Sequence, residues 1–298
     1  MRDMGPGNMQ PIRIDVHTLF RYWLISPFTC AVLAVLILVA FWYVQAIGDA
    51  ADNGQPWPIH RTAAFLSGLV AIELAVQSSV AMLLYISFPM HVVQMLLVMI
   101  AAPLLVLGAP VRLALETSSP RLRSWLLSLI ESTPMRARAH PVVSFVLLYG
   151  GLLAYFLTPA LGSSMQHVWL LNLINLGFLA GAFLFWWAVL GTDVGAEAEL
   201  RPGRSLLFLA GAIVMESILG IALVVRSTPV AAAYTLTGTH QGGAIWWAVA
   251  VVGTLAALLA VLAEWNRGDD LFEAEDGLDL PIGSEEPWPA SPRLSPPG

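Results

Sequence analysis

Residues 89–99 read "PMHVVQMLLVM" and run on through 100–110 as "IAAPLLVLGAP". No Asp, Glu, Lys or Arg interrupts the stretch. A helix of about 20 residues is roughly 30 Å long, the thickness of a bilayer's hydrocarbon core. The stretch therefore reads as a membrane-crossing helix. Pro89 suits the first turn of that helix, and Pro103 is expected to kink it or end it early. His91 and Gln94 stand at its mouth, and Met95 and Met99 follow His91 at four-residue steps along one stripe.

Outward from this helix the whole chain has the same character. Of its 298 residues, 57% are hydrophobic and 11% charged, against about 25% charged in a soluble domain. The apolar residues come in blocks near Phe28–Ile47, Ala63–Ile86, Met90–Leu107, Val142–Leu161, Val168–Leu190, Leu206–Val225 and Gly243–Ala263. The expected fold is an all-α polytopic membrane bundle of about seven spans. Residues 1–27 form an N-terminal outer segment, 28–265 the membrane domain, and 266–298 a disordered acidic, proline-rich cytoplasmic tail. The first apolar run begins late and is long enough to span, unlike a cleaved signal. Cys30 is the sole cysteine, which excludes an internal disulfide and a CxxC metal site.

There is no lysine, so arginines set the orientation. Arg61, Arg112, Arg121, Arg123, Arg136, Arg138, Arg201, Arg204 and Arg267 gather on one side, and fewer on the other. The positive-inside rule places the larger set in the cytoplasm, with the N-terminus outside and the C-terminus inside. The largest internal loop contains "SPRLRSWLLSLIE" (119–131), a short amphipathic helix with Ser119 as its N-cap.

On this topology His17, His91, His167 and His240 fall on the outer side. Imidazole binds copper, and thioether sulfur favours Cu(I). The His91, Met95, Met99 ladder could hold or pass such an ion, with Gln94 orienting an imidazole from behind. Packing alone also accounts for a methionine stripe. Glu73 and Glu216 are carboxylates inside spans, where charge is expensive and a functional role is the default expectation. Gln77 shares a helical face with Glu73. Phosphate loops, nucleophile elbows and basic patches suited to nucleic acid are absent from the sequence.

Several stretches together resemble a known family: 90–115 "MHVVQMLLVMIAAPLLVLGAPVRLAL", 61–69 "RTAAFLSGL", 140–161 "HPVVSFVLLYGGLLAYFLTPAL", 177–193 "GFLAGAFLFWWAVLGTD" and 242–251 "GGAIWWAVAV". The resemblance is to the CtaG-type cytochrome c oxidase assembly factors, seven-span proteins associated with maturing haem-copper oxidases. It implies a non-enzymatic assembly factor in the plasma membrane, with copper handled at the outer face and oxidase subunits as partners. The family pattern His-x-x-Gln-His is met at His91 and Gln94, but Met95 stands at the second histidine. Glu216 falls where the family places a histidine, His167 is displaced toward the outer end, and His240 lies in "THQGG". The resemblance carries over His91 and Gln94, the rest of the family's set being either rewired, with Met95, His167 and Glu216 as substitutes, or lost; with Met99 and His240 from the residues themselves, the candidate metal ligands are His91, Met95, Met99, His167, His240 and Glu216. The alternatives are a metal-free scaffold, or a haem-binding or transport bundle.

Overall fold

The computed structural model describes residues 23–191 and 202–276; the N-terminal tail with His17 and the last 22 residues of the acidic tail lie outside them. Among the described residues every regular element is helical. Six helices among the described residues are long and apolar enough to cross a membrane. The first, α1 (Pro27–Asp52), opens with a capping box: Ser26 Oγ accepts from the Thr29 N–H at 3.2 Å, and Thr29 Oγ1 accepts from the Ser26 N–H at 3.0 Å. The second span is α2 (Ile59–Gln77), continued after a break at Ser78 by α3 (Ser79–Leu83). The central span is α4 (Phe88–Leu107). Its helix passes through Pro103 to Leu107, where the sequence suggested a kink or an early end.

A left-handed residue, Ala109, turns the chain from α4 into α5 (Pro110–Thr117). Next come α6 (Pro120–Ile130) and α7 (Thr133–Ala139). The α6 helix is the amphipathic one. Its Leu122, Trp125 and Leu129 are exposed, while Leu126 and Ile130 are half-buried. Ser119 stands at its N-cap position, but its side chain makes no capping hydrogen bond.

The fourth expected span is shorter than read from sequence. It comprises α8 (Pro141–Phe145), a π-helical turn (Val146–Gly150) and α9 (Gly151–Leu157), 17 residues between His140-Pro141 and Thr158-Pro159. Proline cannot extend the helix at its C-terminal end, so the chain breaks there and resumes as α10 (Ala160–Ser164). The bundle is completed by α11 (Val168–Leu190), α12 (Pro202–Val224) and α13 (Leu236–Asp276). The last helix runs past the expected span end at Ala263 as far as Asp276.

The core is built around α4, which α2, α11 and α13 all pack against. Small residues permit close helix approach in place of a hydrophobic drive, which lipid does not supply. At the α12–α13 crossing, a Cβ on Gly220 would sit 2.5 Å from Trp247 Cβ, and one on Gly243 would sit 2.7 Å from Leu223 Cβ. By contrast, α1 keeps Val35, Ile37, Leu38 and Phe41 exposed, as a lipid-facing helix does. It is anchored at its start by Gln77, which donates to the Thr29 carbonyl, and further along where Tyr43 donates to the Gly108 carbonyl at 2.7 Å and stacks on Phe65 at 3.9 Å.

Candidate functional site

Pro89 sits in the first turn of α4 and sets its start, so His91 comes within one turn of the helix mouth. The imidazole is fully buried. Four rings surround it, Phe88, Tyr155, Phe156 and Tyr234, with centroids 5.9 to 6.4 Å away. Two of them reach it through their hydroxyls. Tyr155 from α9 lies 3.2 Å from Nε2, and Tyr234, in the turn ahead of α13, lies 3.3 Å from Nδ1. Tyr155 also meets Ser164 Oγ of α10 at 3.1 Å. Tyr234 donates to the Leu84 carbonyl at 2.6 Å.

Counting donors orders this network. A buried cation between aromatic rings and neutral hydroxyls is expensive, so the imidazole is neutral and carries one N–H. The single Tyr234 proton goes to Leu84, so the Tyr234 oxygen accepts from His91 Nδ1–H. Nε2 is then an acceptor, and the Tyr155 O–H donates to it. The single Ser164 proton goes to the Leu161 carbonyl at 2.8 Å, and its oxygen stands 3.1 Å from that of Tyr155. One unbroken chain of hydrogen bonds thus ties α4, the turn before it, α9 and the α12–α13 connection together. Burial holds the Tyr234 hydroxyl well above its ordinary pKa of 10.0, so it stays a donor.

The other expected site residues are dispersed. Met95 lies one turn below His91, fully buried in the core. Met99 is half-buried and lines a cavity of about 340 Å³ further down. Glu216 of α12 borders that same cavity. Its Oε1 accepts from Thr254 at 2.8 Å and Tyr149 at 3.2 Å. His167 is exposed at the start of α11, its ring 6.3 Å from that of Trp169. The Nε2 of His240 is 2.9 Å from the Arg226 carbonyl. Gln94 reaches across to α2, donating to the Ala75 carbonyl at 3.1 Å, and so does not orient His91. Glu73 is half-buried with Oε2 unpartnered, and Gln77 donates to the Thr29 carbonyl of α1.

Both His91 nitrogens are taken by tyrosine hydroxyls. Among the described residues no three His, Cys, Asp or Glu side chains stand close enough to hold a metal. The residues missed in the sequence are the hydroxyls: Tyr155, Tyr234 and Ser164 at His91, and Tyr149 and Thr254 at Glu216. A buried Tyr O–H needs a partner, and a mid-span carboxylate needs donors. That requirement was the available signal.

The family model of the cytochrome c oxidase caa3 assembly factor matches residues 41–268. The chain belongs to that family. It is also 28% identical over 271 residues to an uncharacterized protein of Mycobacterium bovis and to one of Mycobacterium tuberculosis, each match covering 85% of this chain and 41% of the relative. A Mycobacterium leprae protein, likewise uncharacterized, is 28% identical over 268 residues, 84% of this chain and 40% of the relative. The chain thus spans about two-fifths of the length of these curated relatives. No solved structure gives a significant match.

Proposed function

We propose that the chain is an assembly factor for a haem-copper cytochrome c oxidase in the plasma membrane, and that it engages oxidase subunits within the bilayer as a scaffold. Family membership over residues 41–268 carries the assembly role. The closed hydrogen-bond chain at His91 favours scaffolding over resident copper, because the residue that best matches the family signature is spent on holding four segments together. The positive-inside assignment puts this end of the bundle on the outer face.

A copper-handling reading stands beside it on one observation. His91 and Met95 occupy successive turns of α4, both fully buried, so an imidazole and a thioether share one stripe. The two readings separate in a host strain lacking the chain, by the copper-to-haem ratio of the residual oxidase. A scaffold's loss lowers the amount of oxidase and leaves the ratio unchanged. Accumulation of haem-loaded oxidase short of copper would overturn the scaffold reading.

A further inference from the structure

The scaffold reading makes no use of α6, and none of that helix's 11 residues is fully buried. At 3.6 residues per turn, Trp125, Leu129 and Leu122 fall within a sector of about 60°. They are 58%, 47% and 47% exposed, an apolar ridge along the helix. Arg121 lies on one flank of the ridge. On the other flank Arg123, Leu126 and Ile130 share a face at i, i+3 and i+7. Leu126, Leu129 and Ile130 border a cavity of about 240 Å³, together with Val111 of α5 and Phe183 and Trp187 of α11. Its lining side chains are all apolar or aromatic, so it offers water few partners and leaves room for acyl segments under α6.

The depth of this ridge follows from α11. That helix has 23 residues, so it is about 34 Å long and just exceeds a hydrocarbon core of roughly 30 Å. Phe183 and Trp187 stand two turns and one turn before its end at Leu190, about 10 and 5 Å inside that end. An in-plane amphipathic helix sinks its apolar face about 5–10 Å into the boundary between headgroups and acyl chains. The cavity that α6 shares with α11 therefore places α6 at the level of the bilayer surface.

Charge selects the lipid. Between Ser119 and His140 the chain carries four arginines, Arg121, Arg123, Arg136 and Arg138, and one acid, Glu131. Arg121, Arg123 and Arg138 are exposed, and among the described residues none of the three makes an ion pair or a side-chain hydrogen bond. Arg112, by contrast, is paired with Glu116 at 2.8 Å. A guanidinium offers phosphate oxygens two parallel N–H donors, and its stem can lie along apolar surface while the charge stays at headgroup level.

We propose that α6 is a docking surface for anionic phospholipid of the leaflet at this end of the bundle. Trp125, Leu129 and Leu122 enter the acyl boundary, and Arg121 and Arg123 hold headgroup phosphates. The surface rests on the membrane-spanning fold and is independent of the oxidase-scaffold reading.

The test uses the full chain carrying Cys30→Ser, reconstituted in vesicles of mixed phosphatidylcholine and phosphatidylglycerol. A nitroxide is attached after Leu122→Cys, Trp125→Cys or Ser124→Cys. Oxygen, which partitions into lipid, is expected to reach the labels at 122 and 125, and a water-soluble nickel chelate the label at 124. Ready access of the chelate to 122 and 125 would put the ridge in water and overturn the proposal. Exclusion of both reagents there would mean that protein, a second copy or a partner, covers the ridge, and would overturn it equally. For headgroup choice, a bimane on Leu122→Cys is quenched with trace doxyl-labelled lipid. One basic side chain near an anionic surface is worth about fivefold in association, so doxyl-phosphatidylglycerol is expected to quench at a mole fraction at least about fivefold lower than doxyl-phosphatidylcholine. Arg121→Gln/Arg123→Gln, at exposed and unpaired positions, is expected to fold and to abolish that difference. Equal quenching by the two lipids in the parent would overturn the phosphate assignment.

Discussion

Replacing Tyr155 by phenylalanine removes the hydroxyl 3.2 Å from His91 Nε2 and little else. Two magnitudes compete. The net worth of an interhelical hydrogen bond in a membrane protein averages about 0.6 kcal/mol. Leaving a buried acceptor unpaired costs about 1–3 kcal/mol. Because His91 is fully buried, the second governs. Ser164 keeps its acceptor, the Leu161 carbonyl at 2.8 Å, so only Nε2 is orphaned, and a loss of about 1–2 kcal/mol is expected. Tyr234→Phe strands two groups, the Leu84 carbonyl and His91 Nδ1–H, and is expected to cost about 2–4 kcal/mol. In a His91→Leu background the Tyr155→Phe cost is expected to fall below about 0.5 kcal/mol, because no imidazole remains to be stranded. Unfolding by SDS in mixed micelles, followed by circular dichroism, measures the parent and all four variants. Strict additivity of the Tyr155 and His91 changes, or a Tyr155→Phe cost larger than that of Tyr234→Phe, would refute the hydrogen-bond order assigned here.

Gly242→Ala would place a Cβ 2.4 Å from Phe88 Cδ1, against a ring that flanks His91; overpacking of about 1–3 kcal/mol is expected in the same unfolding assay. Glu216→Gln keeps an oxygen for Tyr149 and Thr254 and is expected to cost under about 1 kcal/mol, whereas Glu216→Leu strands both hydroxyls and is expected to cost at least about 2 kcal/mol. Tyr234 is held protonated by burial, so the native state binds its proton more tightly than the unfolded chain. Its contribution is complete below the ordinary pKa of 10.0 and declines as pH rises beyond it, and Tyr234→Phe is expected to flatten that decline in a pH series of the unfolding midpoint. Ala137 is exposed beside the arginine-rich loop; in a Cys30→Ser background, Ala137→Cys is expected to resist an impermeant thiol reagent in intact cells, and rapid labelling would reverse the proposed orientation.

The membrane bundle was legible because lipid imposes length and apolarity on each span separately, and both can be read along the chain. The run from Pro89 to Leu107 is one helix, although Pro103 suggested a kink or an early end. The fourth span, from Pro141, was overestimated. Continuous hydropathy past Thr158 hid the break that Pro159 imposes. At the site, sequence reasoning found His91 and Glu216, since a polar group in a span draws notice. It joined them to His167 and His240 by shared side and by the family resemblance, and neither fixes rotation about a helix axis. The true neighbours, Tyr155 and Tyr234, are 64 and 143 residues from His91 in sequence. Their aromatic bodies look like ordinary core, and only packing shows where the hydroxyls point.

The most direct measurement is copper content of the detergent-purified chain after Cu(I) loading and desalting, beside a His91→Ala/Met95→Ala variant. With His91 engaged at both nitrogens, equal and far less than stoichiometric copper is expected in the two proteins. Near-stoichiometric copper in the parent, lost in the variant, would contradict the scaffold account and make the head of α4 a copper site.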